Sequence, residues 1–180
     1  MFTSADVSSA RLALLDRLHR GVIAGGCGGL VGAGTKLLGE VIFPPRYPGE
    51  PIPPAVAVSR FLEWMSGSPL LPEKMTLAVQ AFHWSFSIGC AALYGMIVEV
   101  FPKAKAGWGL GFGMVLLLFT HETMLPWFGL SLPWSEIPLK EHLSEISTHA
   151  IFGVSVEMVR RFVRPTLERL PGMTPPTTAA

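Results

Sequence analysis

The sequence predicts an all-α protein, a four-helix transmembrane bundle with short amphipathic interfacial helices. Three observations favour this class. Of the 180 residues 49% are hydrophobic and only 15% are charged, whereas a soluble domain carries about 25% charged residues. The mean hydropathy of the chain is +0.44. Four long apolar stretches are separated by proline-rich or basic segments.

The second apolar stretch, over residues 77–100, is the clearest membrane span. It contains no charged residue before Glu99, and about 20 apolar residues are enough to cross 30 Å of hydrocarbon. The other three spans are predicted over residues 21–43, 107–127 and 143–163, although each of them includes ionisable residues. We therefore expect a single membrane domain over residues 1–170. The proline- and threonine-rich residues 171–180 are predicted to be a disordered tail.

Two further segments have the pattern of helices that lie on a membrane surface. The segment "SSARLALLDRLHR", residues 8–20, places leucines on one helical face and predicts a short interfacial helix on the cytoplasmic side. The segment "AVAVSRFLEWMSG", residues 55–67, predicts a short amphipathic helix on the outer surface. The proline-rich residues 44–54 before it are predicted to form a stiff, extended strap.

The distribution of basic residues predicts how the chain is threaded through the membrane. If both termini are in the cytoplasm, more basic residues lie on the cytoplasmic side than outside, as the positive-inside rule requires. The cytoplasmic side then carries Arg11, Arg17, Arg20, Lys103, Lys105, Arg160, Arg161, Arg164 and Arg169, against Arg46, Arg60, Lys74 and Lys140 outside.

Composition and motifs disfavour several classes of function. A net charge of +1 provides no electrostatic basis for binding nucleic acid, so the expected partner is the lipid bilayer. The sequence has no Walker loop, no GxSxG and no dinucleotide fingerprint, and an enzyme is the less favoured interpretation. Cys27 and Cys90 lie in apolar helical stretches and are interpreted as small buried residues.

Six ionisable residues, drawn from all four predicted spans, fall at a similar depth in the outer half of the bundle. An ionisable group at the bilayer centre costs roughly 2.5 to 3.5 kcal/mol on insertion scales, so these side chains are expected to face one another. The sequence therefore predicts one polar pocket, formed by Lys36, Glu40, His83, His121, Glu145 and His149.

Five other ionisable residues are secondary candidates. His142 shares a helical stripe with Glu145 and His149 at offsets of three and seven, and Glu122 follows His121. Glu99 and Glu157 lie near the cytoplasmic ends of their helices. The favoured interpretation is a local ion pair of Glu99 with Lys103 and of Glu157 with Arg160 and Arg161, about one turn further along. The secondary set is Arg46, Glu122, His142, Glu99 and Glu157.

Glycines four residues apart occur in the first and third spans. Small residues at this spacing allow helix backbones to approach closely in lipid. Tight packing within one chain is favoured over a homo-oligomer or partner interface through the same faces. The pairs are Gly25 and Gly29, Gly28 and Gly32, Gly107 and Gly111, and Gly109 and Gly113.

A set of motifs in a fixed order resembles the YagU-like family of bacterial inner-membrane proteins. These are "KLLGEVIFPPR", a histidine sixteen residues before "EVFPK", "LFTHETMLPWFGL", "LPW", "SEISTH" and "EMVRR", and they cover roughly residues 21–164. The resemblance implies a multi-pass inner-membrane protein and supplies no catalytic assignment. His142 and Glu122 fall outside the family pattern. The positions carried over are Lys36, Glu40, Pro44, Pro45, Arg46, His83, Glu99, His121, Glu145, His149, Glu157 and Arg161.

Three functions remain open for the predicted pocket. A structural or partner-binding role is favoured, because buried polar groups hydrogen-bond across membrane helices. A proton- or ion-translocating or transport-related role is the first alternative, since ionisable residues within membranes mark such pathways. The second alternative is a site for a metal or metallocofactor, with Zn, Fe or Cu bound by His83, His121, Glu145 and His149.

Overall fold

The computed structural model describes residues 4–46, 53–69 and 71–170, and every regular element in these ranges is helical. Most of the proline-rich strap and the tail 171–180 lie outside the described residues. Short 3₁₀ segments at Pro102–Gly109 and Trp134–Glu136 and a π-helical turn at Thr120–Met124 connect the helices. The α-helices are α1 (Ser4–Ile42), α2 (Pro53–Ser66), α3 (Pro72–Val100), α4 (Leu110–Phe119), α5 (Leu125–Trp127) and α6 (Leu139–Glu168).

Helix α1 is one continuous helix of 39 residues, which corresponds to about 58 Å at 1.5 Å per residue. The separate surface helix expected over residues 8–20 is therefore wrong, because these residues form the first turns of α1. The segment contains no proline, so nothing in it removes a backbone donor and interrupts the hydrogen-bond ladder.

The short amphipathic helix expected over residues 55–67 is present as α2, which packs on α3. Val58 is buried, whereas Trp64 is 81% exposed. The guanidinium Nη1 of Arg60 donates a hydrogen bond to the backbone carbonyl of Phe128 at 3.2 Å. This bond ties α2 to the chain just after α5.

Among the described residues, three helical segments are long and apolar enough to cross a membrane: Asp6–Ile42, Pro72–Val100 and Pro102–Trp127. The fourth predicted span, in α6, is not among them, and the expected count of four spans is not confirmed. The polar residues of α6 lower its mean hydropathy, but several of those in its middle face inward. Ser144, Glu145, His149 and Glu157 are all buried.

The helices pack through close backbone contacts at glycine. Helix α1 lies along both α3 and α6, and α4 lies along α6. A Cβ added at Gly25 would lie 2.1 Å from the carbonyl oxygen of Ala91, and one added at Gly113 would lie 2.1 Å from that of His149. These glycines therefore serve contacts within the chain, and a homo-oligomer stays a prediction.

The chain reverses between α3 and α4 in a left-handed stretch. Gly107, Trp108 and Gly109 have φ of 68°, 56° and 83°. Glycine adopts this region without strain, whereas a tryptophan does so rarely. The guanidinium of Arg161 lies 4.1 Å from the centroid of the Trp108 ring, a cation–π contact that helps to hold the reversal.

The core of the bundle is a layer that we call the apolar waist, formed by Ala91, Tyr94, Val98, Phe152 and Val156. Phe112 of α4 packs on this layer, with its ring stacked on that of Tyr94 at 4.3 Å between centroids. Beside it, the hydroxyl oxygens of Thr35 and Ser155 lie 3.0 Å apart. Clusters of ionisable residues lie on both sides of the apolar waist.

Candidate functional site

A cavity of about 340 Å³ opens between the helices at the end of the bundle that carries α2. Helices α1, α3, α4 and α6, the π-helical turn, and the start of α2 contribute to its wall. The structure places all six residues of the predicted polar pocket on this wall: Lys36, Glu40, His83, His121, Glu145 and His149.

Aromatic and aliphatic side chains form the rest of the cavity wall. Phe82 and Phe86 come from α3, Met124 from the π-helical turn and Phe152 from α6, and Phe128 follows α5. An apolar wall with a few convergent polar groups is typical of small-molecule sites. These residues cannot be recognised as cavity residues in the sequence, because the same side chains also occur in helices that face lipid.

The carboxylate of Glu145, which is 6% exposed, is the centre of the polar cluster. Its Oε2 lies 3.3 Å from Nζ of Lys36 and 3.4 Å from Nδ1 of His149, and its Oε1 lies 3.7 Å from Nδ1 of His121. Lys36 also forms an ion pair with Glu40 one turn further along α1. Glu145 thus links α1, the π-helical turn and α6.

The two histidines beside Glu145 face each other at close range. The ring centroids of His121 and His149 are 5.0 Å apart and the planes are inclined by 78°. His83 is not part of the group formed by His121, Glu145 and His149, whose ligand atoms lie within 4.8 Å of one another, so the structure brings together three of the four residues of the predicted metal set. Nε2 of His83 lies 3.5 Å from the backbone oxygen of Ala33, because the rotation of α3 directs the His83 ring toward α1.

His121 lies in the π-helical turn Thr120–Met124. Pro126 follows one turn later, and it lacks the N–H that an α-helix would direct to the carbonyl of Glu122. In the same turn, the hydroxyl of Thr120 donates a hydrogen bond to the carbonyl of Leu116 at 2.6 Å. Turns of this kind occur frequently at functional sites.

Three of the secondary candidates lie on the same side of the apolar waist as the cavity. Arg46, Glu122 and His142 line a smaller pocket next to it. His142 Nδ1 lies 3.3 Å from Oε1 of Glu122, and Arg46 forms an ion pair with Glu141. Glu141 is not among the residues predicted from the sequence. It lies one turn before Glu145 on the same stripe of α6, and this spacing is a signal that could have identified it.

The two remaining candidates, Glu157 and Glu99, lie on the other side of the apolar waist. Glu157 is fully buried and accepts hydrogen bonds from Nε of Arg160 at 2.6 Å, Nε of Arg161 at 2.6 Å and the hydroxyl of Tyr94 at 2.9 Å.

Glu99 accepts hydrogen bonds from Nε and Nη2 of Arg164 at 2.5 and 3.1 Å, and Arg17 lies 3.8 Å away. Its partners come from α6 and α1, whereas the sequence suggested the local Lys103. These ion pairs link helices at the end of the bundle away from the cavity.

The apolar helical segments of membrane-spanning length in the described residues are those of a membrane protein. The chain belongs to the family described as "Protein of unknown function (DUF1440)", whose model matches residues 30–158. It is also similar to the inner membrane protein YagU of Escherichia coli (strain K12), with 34% identity over 108 residues. The resemblance to the YagU-like family is thereby confirmed.

This match covers 57% of the chain and 53% of the relative, so the chain spans about half the length of that relative. No solved structure matches the chain.

Proposed function

We propose that the protein is a four-span protein of the bacterial inner membrane, with both termini in the cytoplasm. In this proposal its cavity binds a small amphipathic solute from the periplasmic side, as a step in transport. The inner-membrane relative and the asymmetric distribution of basic residues support the location and the threading.

The outward face of α6 supports a fourth span. Its exposed residues include Leu143, Ile146, Ile151, Met158 and Phe162, which form an apolar surface along the helix. A helix with apolar residues outside and paired polar residues inside is compatible with lipid. An averaged hydropathy does not distinguish the two faces.

The observation that carries the proposed function is the space left at the polar cluster. If the ionisable residues served only to lock the helices, they would pack together without a cavity. The cavity instead measures about 340 Å³, which is within the range of about 300 to 1,000 Å³ for small-molecule sites.

The charges on the wall suggest the kind of solute. Lys36 and Arg46 are balanced by Glu40 and Glu145, so the wall carries no net charge when its histidines are neutral. A buried site without net charge disfavours an organic solute with a net charge, because such a charge would remain uncompensated away from water. The apolar wall and the balanced polar cluster fit a neutral or zwitterionic solute with an apolar body.

A structural or partner-binding role is the second candidate. The contacts of Glu145 with Lys36, His121 and His149 favour it, because they join three segments of the bundle. The two candidates differ in whether water and solutes reach the cavity.

Access from the periplasm can be measured with a single cysteine. In a variant with Cys27→Ala and Cys90→Ala, Thr120→Cys places a thiol on the cavity wall. Val115→Cys on α4 is the matched control, since this residue is 66% exposed on the outside of the bundle and would face lipid.

With a membrane-impermeant thiol reagent applied to spheroplasts, we expect the cysteine at Thr120 to react and the cysteine at Val115 to remain unmodified. Equal inertness of both cysteines in a folded protein would contradict a periplasmic binding cavity and favour the structural role.

A further inference from the structure

We propose that His121, Glu145 and His149 bind one divalent transition-metal ion on the wall of the cavity. One potential ligand atom from each residue lies within 4.8 Å of the other two. This inference goes beyond the proposed binding of a solute, because a cavity can bind a solute without an ion. The two proposals are tested by separate measurements.

The composition of the cluster suits such an ion. Two imidazoles and one carboxylate form a ligand set typical of Zn²⁺ and non-haem Fe²⁺. Metal–nitrogen bonds of about 2.0 to 2.1 Å place tetrahedral ligand atoms about 3.4 Å apart. Atoms that are now at most 4.8 Å apart therefore need to approach by about 1.4 Å or less, which is a side-chain adjustment.

The backbone already positions the three ligands. Glu145 and His149 are one turn apart on α6 and share a face. His121 reaches them from the π-helical turn, which belongs to a different part of the chain. The ion would therefore link α6 to the end of the third predicted span.

Nδ1 of His149 lies 2.9 Å from the backbone carbonyl oxygen of Glu145 and 3.4 Å from Oε2 of its side chain. A carbonyl oxygen can only accept, so Nδ1 carries the proton in the metal-free arrangement. Metal ligands must be deprotonated at the coordinating atom. A metal bound between Nδ1 and the Glu145 carboxylate therefore replaces this hydrogen bond, and the proton of the neutral ring moves to Nε2.

Lys36 determines how metal binding couples to the rest of the cluster. Its ammonium lies 3.3 Å from Oε2 of Glu145 and competes with a cation for that carboxylate. Glu40, its other partner, can keep the ammonium when a metal binds Glu145. Because a buried positive charge repels a metal ion, Lys36 lowers the affinity of the site.

The three residues leave at least one coordination position for a non-protein ligand. Each of them lies on the cavity wall, so water or a donor atom of a solute can reach that position. A site with three protein ligands and one open position is the arrangement found in reactive metal centres, whereas structural sites are closed by four protein ligands.

Titration with Co²⁺ tests the site. The full-length protein in detergent is treated with a chelator, dialysed and titrated with Co²⁺. Binding is measured by the visible absorption of the bound ion, and Zn²⁺ is then added to displace it. We expect one equivalent to bind. His149→Ala and Glu145→Gln should each weaken binding by at least about tenfold, the lower bound of losses seen even for outer residues of metal sites.

The matched control is His142→Ala. This histidine lies on the same helix, seven residues before His149, and contacts Glu122 and the carbonyl of Trp134. Its removal should leave the dissociation constant unchanged. Lys36→Met should tighten binding, whereas loss of a purely structural cluster would not improve affinity for a metal.

Several outcomes would overturn the proposal. The first is that the wild-type protein does not bind Co²⁺ stoichiometrically. The second is that His142→Ala and His149→Ala weaken Co²⁺ binding equally, and the third is that Lys36→Met weakens it. Gel filtration checks that each variant is folded, and His121→Gln replaces any ligand variant that is not. Because thiol access at Thr120 is measured without metal, failure of the metal site and failure of the solute cavity are distinguishable.

Discussion

Substitution of Gly113 by alanine should separate α4 from α6. The added Cβ would lie 2.1 Å from the carbonyl oxygen of His149 and 3.0 Å from its carbonyl carbon. A carbon and an oxygen without a covalent bond approach to about 3.3 Å at closest, so the two helices must move apart by about 1.2 Å. The clash is with backbone atoms, and no change of side-chain rotamer can relieve it.

The expected loss of stability follows from two opposing effects. Overpacking of a tightly packed contact costs typically 1–3 kcal/mol, and we take about 3 kcal/mol because the contact is with the backbone. Alanine in a helix recovers about 1 kcal/mol relative to glycine. The net loss of about 2 kcal/mol corresponds to a decrease in Tm of about 4–8 °C for a chain of this size.

Gly111→Ala is the control, because it adds the same methyl group to the same helix. Its Cβ would meet nothing closer than 4.0 Å, the carbonyl oxygen of Ala106. It should therefore gain about 1 kcal/mol and raise Tm by about 2–4 °C. Thermal unfolding in detergent, followed by the loss of the monodisperse gel-filtration peak, measures both variants. Equal Tm values would refute the contact between α4 and α6 at Gly113.

Two further predictions concern the other end of the bundle and the threading. Glu157→Leu removes the carboxylate partner of the buried Arg160 and should cost about 3–5 kcal/mol, whereas Tyr94→Phe removes one hydrogen bond to that carboxylate and should cost about 1.5–3 kcal/mol. The same thermal assay ranks them, and a smaller loss for Glu157→Leu would contradict the buried ion pair. For the threading, a single cysteine at Ser68 should react with an impermeant reagent in spheroplasts and one at Lys105 only after lysis; the reverse result would invert the proposed orientation.

The residues around the cavity were predictable because the bilayer penalises isolated charges. Glu145 and His149 share a helical face by their spacing alone, and Lys36 and Glu40 do the same. Any arrangement that hides these side chains from lipid brings them to the interior at similar depth. Four of the six predicted residues could therefore be placed from helical periodicity and depth.

Other features depend on information that periodicity does not contain. His83 is not grouped with His121 and His149 because of the rotation of α3 about its axis, and this rotation is determined by the contacts of α3 with α1. The ion pair of Glu99 with Arg164 joins residues 65 positions apart. The sequence also could not show that residues 8–20 continue into α1, since a surface helix and the start of a longer helix have the same leucine spacing.

The apolar waist has a consequence for the electric field in the proposed threading. Glu157 follows His149 by eight residues, or about 12 Å along α6, and the intervening buried residues include Phe152 and Val156. If water reaches the cavity from the periplasm and the ion pairs of Glu157 from the cytoplasm, the membrane voltage falls mainly across this layer rather than across the full 30 Å of hydrocarbon. The field there is then about 2.5 times steeper. A charge that crossed the waist would experience nearly the whole of the roughly 2.3 kcal/mol per 100 mV within about two helical turns.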